Sequence, residues 1–172
     1  GPWSLISRLR LNLNLGAVSI YDTTGYGAYL LNLVNGDDLT RVKGYSATAA
    51  NVNFSLYIPV SVNLADAFST GLILLQDPQV RATLEVFWGQ PTDAFLGATG
   101  VSGTLDVHYV YWEVPDLSRV SAPPLVLHRV VEDVQPISQT GDNAYVVPRQ
   151  GTLLQLVHVL ELNGALSDAW DR

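Results

Sequence analysis

The chain has 172 residues, of which 48% are hydrophobic and 15% are charged, and its formal net charge is −7. This length predicts one domain with an interior large enough to need no disulfide or metal, and the absence of cysteine excludes thiol chemistry. The acidic balance argues against direct binding of nucleic acid, because it repels phosphate. The low charged fraction instead predicts apolar or neutral surface that suits protein contacts.

Residues 5–15 give the clearest signal of secondary structure. Apolar and polar side chains alternate there, which is typical of a half-buried strand. This first strand either ends at residue 15 or continues past Gly16 to residue 21, and residues 22–25 are predicted to form a turn. The predicted buried face of this first strand carries Leu9, Leu11, Leu13 and Leu15. The predicted solvent face carries Arg8, Arg10, Asn12 and Asn14.

The rest of the chain predicts further strands separated by turn residues. Asn35-Gly36 lies between apolar residues 26–34 and residues 39–45, and Asn-Gly is a strong hairpin signal. Pro59 lies within the alternating residues 51–63, which indicates an edge strand or a bulge. Residues 64–70 are the only segment predicted to be helical, and residues 89–103 form a predicted loop. The remaining predicted strands are 72–76, 80–88, 104–114, 125–134, 144–147 and 152–162.

This pattern predicts an all-β fold, a single jelly-roll β-sandwich or barrel of about eight strands with Greek-key connections. Gly1-Pro2 matches the pair of residues that a protease site used in protein production leaves behind, so we expect the domain to cover residues 3–172. No apolar run approaches the roughly 20 residues that span a bilayer, and no secretory signal is expected.

The candidate catalytic groups favour a non-enzymatic protein. His108, His128 and His158 could in principle form a zinc site, but they are far apart in sequence, so we predict isolated histidines, with no metal or cofactor. Asp22-Thr23-Thr24-Gly25 is similar to the Asp-Thr-Gly loop of aspartic proteases. The additional threonine and the single copy argue against a protease, and Asp22 is predicted to be a turn residue.

Aromatic residues form the most informative cluster. Tyr109 and Tyr111 share one face of a predicted strand, and Trp112 lies on the other face. Three interpretations stay open: a core cluster, a protein interface, or a platform on which sugar rings stack.

The ends of the chain also carry bulky apolar groups, which we expect to pack on the domain or on a neighbouring molecule. The residues predicted to form an oligomer interface are Trp3, Leu5, Pro59 and Trp170.

Three runs of sequence, residues 11–15, 53–60 and 107–113, together with the acidic, cysteine-free composition, suggest a family. The chain resembles the smaller major capsid protein of the tailless, membrane-containing icosahedral bacteriophages of Thermus. The resemblance implies a jelly roll located in the virion, which associates with itself and with a larger coat protein over an internal membrane. It implies no catalytic residue, and a thermophilic host is consistent with the absence of Met and Cys.

Two other classes of function remain as alternatives. The first is a carbohydrate-binding module or lectin that uses Tyr109, Tyr111 and Trp112. The second is a hydrolase or isomerase built on a β-sandwich, with His128 and His158 as the residues to test.

Overall fold

The fold is β-rich and divides into two compact units, Gly1–Asp133 and Val134–Arg172. The computed structural model describes residues 1–36, 52–61, 73, 75, 79–95, 97–111, 127–136, 144–147, 151, 153, 155–157, 161–162 and 165–166. None of the helices in these ranges is long and apolar enough to cross a bilayer.

A four-stranded sheet in the order β3-β1-β2-β4 organises the first unit. Strand β1 pairs antiparallel with both β2 and β3, and β4 runs parallel to β2. The elements of this unit are a 3-10 helix Pro2–Leu5, β1 Ile6–Leu13, β2 Val18–Thr23, α1 Gly25–Val34, β3 Ala82–Trp88, α2 Pro91–Ala94 and β4 Val130–Val131. In the second unit, β5 Glu161–Leu162 pairs antiparallel with β6 Ala165–Leu166.

The faces predicted for the first strand are confirmed in part, since Asn12 of the predicted solvent side is 8% exposed and Leu15 of the predicted buried side is 84% exposed. Leu9 and Leu13 are buried, whereas Arg8 and Arg10 lie on the opposite face and are partly exposed. The predicted continuation of this strand as far as residue 21 is wrong, because a turn at residues 14–17 reverses the chain into β2.

The core of the first unit lies on the leucine face of the sheet. Its buried cluster is Ile6, Leu9, Tyr21 and Ala28, so strands β1 and β2 contribute together with α1. Residues 52–61 cover the cluster from outside the sheet, through Phe54, Leu56 and Ile58. Their predicted alternation is confirmed, since the side chains of the even-numbered residues from 52 to 58 are half-buried and those of the odd-numbered residues are exposed.

Helix α1 contradicts the prediction of a strand at residues 26–34. The Oγ1 atom of Thr24 accepts a hydrogen bond from the Gly27 N–H over 2.9 Å and caps the helix. Gly36 has a φ of +76° and follows the last turn, so Asn35-Gly36 ends a helix rather than forming a hairpin. The helix is apolar on most sides, so its sequence carries little helical periodicity.

The remaining predicted strands and loop are confirmed only in part. The strand at 80–88 is confirmed as β3, and the loop at 89–103 contains the short helix α2. Within 125–134, only Val130–Val131 forms a strand among the described residues. Residues 144–147 are irregular, and 39–45 and 64–70 lie outside the described residues.

Candidate interaction surface

Residues 101–111 form a continuous run in which every side chain is exposed. Val110 is 95% exposed and Tyr109 is 78% exposed, values that are unusual for large apolar or aromatic groups. No strand in the described part of the chain pairs with residues 101–111. The prediction of a strand at 104–114 is therefore not met for residues 104–111, although their alternating sequence suits a strand.

The tyrosines within this run lie side by side. The ring centroids of Tyr109 and Tyr111 are 5.9 Å apart, and their planes are inclined by 31°. This separation places the two rings next to each other, whereas the predicted strand whose face they would share is not present at these residues. Trp112, the third aromatic residue of the predicted sugar platform, lies outside the described residues.

The turn between β1 and β2 presents a second exposed apolar group. Leu15 is 84% exposed and has a φ of +56°, a left-handed conformation that Leu rarely adopts. The turn is anchored by Asn14, whose N–H donates to the Arg81 carbonyl over 2.8 Å and whose Oδ1 accepts from the Arg81 N–H over 3.1 Å. Together with Gln79, these three residues line an open hollow of about 410 Å³.

The polar face of the sheet carries a network of charged side chains. Arg8 Nε and Arg10 Nε both donate to Asp22 Oδ1, the latter over 3.1 Å. Arg10 lies opposite Asp22 on β2 and opposite Glu85 on β3, and its guanidinium is 5.5 Å from the Phe87 ring centroid. Asn12 also belongs to this network, and its Nδ2 donates to Glu85 Oε2 over 2.8 Å.

Asp22 is therefore not a turn residue, as the sequence predicted, but a member of β2 with two arginine partners. The hydrogen bond from Arg8 holds the pKa of Asp22 below its ordinary value, and Arg10 acts in the same direction. The same contact raises the pKa of Arg8. The carboxylate of Asp22 on β2 thus pairs with two arginines of the neighbouring strand β1.

Glu132, which follows β4, joins that strand to the start of helix α1. Its Oε1 accepts from Thr24 Oγ1 over 3.0 Å, and its Oε2 accepts from the Thr24 N–H. A carboxylate at the N-terminus of a helix is favoured by the helix dipole. This contact was not predicted, because 108 residues separate its partners and no local pattern joins them.

The four residues predicted to form an oligomer interface have different environments. The Trp3 ring stacks on Tyr29 of α1, with centroids 3.8 Å apart and an interplanar angle of 3°. Leu5 is buried within its own unit, and Pro59 is half-buried in the segment that covers the core. Trp170 lies outside the described residues. Trp3 and Leu5 thus pack on their own chain, whereas the exposed apolar groups of the described residues include those at 101–111 and Leu15, together with Val134 and Val146.

The histidines are not brought together in the part of the chain that the structure describes. His108 is exposed within residues 101–111, and His128 is half-buried next to β4. His158 lies outside the described residues. Among the residues with described positions, no group of three or more His, Asp or Glu side chains has the arrangement of a metal site.

Comparison with known proteins gives no relative. No protein-family model matches the chain, and no curated protein or solved structure is significantly similar to it.

Proposed function

We propose that the protein is a non-enzymatic structural protein of a viral capsid, located in the virion. In this proposal the complete domain is a jelly roll that associates with itself and with a larger coat protein, over an internal membrane. The observation that carries the proposal is the exposed run at residues 101–111, with large apolar side chains and no paired strand among the described residues. Such a run is favourable only when another surface covers it.

The chemistry of the sheet supports a structural role. Its charged side chains pair with one another across strands, as Asp22 does with Arg8 and Arg10. Cross-strand pairs of this kind stabilise a sheet and fix its register. The low charged fraction of 15% leaves the remaining surface suited to contacts with neighbouring subunits.

Multi-angle light scattering over a range of protein concentrations tests self-association. We expect a dimer or larger species, and negative-stain electron microscopy should show ordered assemblies after addition of the larger coat protein. The substitution Val110→Glu should reduce association, whereas Leu33→Glu, at an exposed position of helix α1, should leave it unchanged. A protein that stays monomeric at high concentration and binds no coat protein would contradict the proposal.

The tyrosine pair favours a second candidate function, a carbohydrate-binding module. Tyr109 and Tyr111 are 78% and 64% exposed, and their neighbouring rings could stack on successive sugar rings. A glycan array tests this alternative, with Tyr109→Ala expected to abolish binding and Tyr57→Ala as the control at an exposed tyrosine elsewhere. If no glycan on the array binds the protein, the carbohydrate-binding function is wrong.

A further inference from the structure

We propose that residues 104–110 pair antiparallel with the same residues of a second copy of this chain, about a twofold axis at Val107. This inference rests on the proposed function and assigns one self-contact of the assembly. Residues 104–111 are exposed and pair with no strand in the described part of the chain. A segment without a partner strand offers its backbone N–H and C=O groups to another chain. A two-fold contact is the commonest way in which identical chains associate.

The two faces of this segment set the permitted registers. When the segment is extended in the proposed pair, one face carries Leu105, Val107, Tyr109 and Tyr111, and the other carries Thr104, Asp106, His108 and Val110. In an antiparallel pair, residues directly opposite each other point to the same side of the sheet. If the twofold axis passes through a residue, the faces that carry Leu105 to Tyr111 lie on the same side of the sheet in both copies. If the axis passes between two residues, for example between Asp106 and Val107, these two residues lie opposite each other and the faces are mixed.

Charge complementarity selects Val107 among the remaining positions. With the axis at Val107, Asp106 of each copy lies opposite His108 of the other, so an imidazole N–H can donate to a carboxylate twice. With the axis at Asp106, two carboxylates face each other, and with the axis at His108, two imidazoles do. A parallel, in-register pair also places like groups opposite each other, and like charges in that position are unfavourable.

The apolar face agrees with the same register. Leu105 of each copy lies opposite Tyr109 of the other, and Val107 lies opposite its own equivalent. Aromatic and aliphatic side chains in directly opposite positions are favourable cross-strand pairs. The register thus covers three of the exposed apolar groups of each copy, and Tyr111 extends beyond them.

A second copy satisfies these contacts although the chain is acidic. The net charge of −7 opposes association of two identical molecules at long range. Within the segment, however, the charged and polar groups are arranged so that each carboxylate meets an imidazole. A different protein partner would need no such self-complementary sequence.

A charge exchange tests the register. We expect Asp106→Lys and His108→Glu each to weaken dimerisation about tenfold, equivalent to about 1.4 kcal/mol, because each places like or unpaired groups opposite each other. The double variant should dimerise at least as tightly as the wild type, since lysine then lies opposite glutamate. The two single changes shift the net charge in opposite directions, so a general charge effect could not weaken both.

Cysteine cross-linking gives an independent measurement. The chain contains no cysteine, so Val107→Cys introduces a single thiol, and in the proposed register it lies opposite its own equivalent. Directly opposite residues in an antiparallel pair have Cα atoms about 4.5–5.5 Å apart, which suits a disulfide. We expect Val107→Cys to form a disulfide dimer under mild oxidation. Val110→Cys, which is more exposed but lies opposite Thr104, should form far less.

The outcomes separate this inference from the proposed function. A wild-type oligomer that neither the single nor the double variants change, or a Val107→Cys variant that does not cross-link, would overturn the self-pairing and leave the proposed function standing. A double variant that does not recover would also overturn it, because the partner is then not a second copy in this register. A wild-type protein that is monomeric and does not bind a coat protein would contradict both the self-pairing and the proposed function.

Discussion

The side-chain amide of Asn32 on helix α1 forms two hydrogen bonds with the backbone of Tyr57. Its Nδ2 donates to the Tyr57 carbonyl and its Oδ1 accepts from the Tyr57 N–H, each over 2.7 Å. These are the contacts that a neighbouring strand would make, so the amide takes the place of a partner strand for residues 52–61. Asn32 is 1% exposed, and this pairing satisfies its buried polar atoms.

We expect Asn32→Asp to destabilise the first unit by about 2–3 kcal/mol at pH 7, because it sets a carboxylate oxygen against the Tyr57 carbonyl in a buried position. The loss should shrink in acid, where a protonated carboxyl can donate to that carbonyl again. Urea unfolding at pH 7 and pH 4 measures both effects. Asn53→Asp, an exposed position on the same segment, is the control. Equal stability of the two variants at pH 7 would show that the Asn32 contacts do not hold the segment.

The fold was predictable from sequence where burial has a period of two residues. The leucines of β1 and the even-numbered residues of 52–58 have the faces that alternation predicted. Helix α1 was missed because it is apolar on most sides, and because Asn35-Gly36 serves equally as a hairpin turn and as a helix end.

The candidate surface was predictable in part. The proximity of the Tyr109 and Tyr111 rings agrees with their spacing, but their exposure could not be predicted, since an alternating aromatic strand is equally suited to a core. The pairing of Asp22 with Arg8 depends on the register of β1 against β2, which no local pattern specifies. For the same reason, the sequence alone could not predict the contact between Glu132 and Thr24.

Asp22→Asn should reduce the free energy of unfolding by about 1–2 kcal/mol at pH 7, since two arginines lose a charged partner. The folded protein holds the pKa of Asp22 below its ordinary value of 3.8, so its stabilising contribution is present above that value. It is lost as the pH falls through the lowered pKa. The difference between wild type and variant, measured by urea unfolding, should therefore be full at pH 7 and shrink as the pH falls below 3.8. A difference that stays constant from pH 7 to pH 2 would show that the ion pairs do not cause it.

Leu15→Asn should stabilise the protein by about 0.5–1 kcal/mol, because asparagine tolerates the left-handed conformation better than leucine does. Little burial is lost, since Leu15 is almost fully exposed. Leu33→Asn provides the contrast, because it also replaces an exposed leucine but lies in helix α1, where asparagine lowers stability. Thermal unfolding should give shifts of opposite sign for the two variants, about 1–4 °C in size. A lower melting temperature for Leu15→Asn would refute the assignment of strain to this turn.

Burial of Tyr21 makes the protein sensitive to alkali. It raises the pKa of Tyr21 from 10.0 to about 12, against a smaller opposing effect of the Thr23 side chain. A folded pKa above the unfolded value means that the contribution to stability is full below pH 10. It is then lost as the pH rises through the folded pKa, by about 1 kcal/mol per pH unit.

The substitution Tyr21→Phe removes this titration. The wild type should therefore lose stability more steeply than the variant between pH 10 and pH 12, as measured by urea unfolding at each pH. Tyr109→Phe removes one hydroxyl at a tyrosine that is 78% exposed and is the matched control variant. If Tyr21→Phe and wild type instead lose stability in parallel over this range, ionisation of Tyr21 is not linked to unfolding, and the alkaline loss comes from other groups.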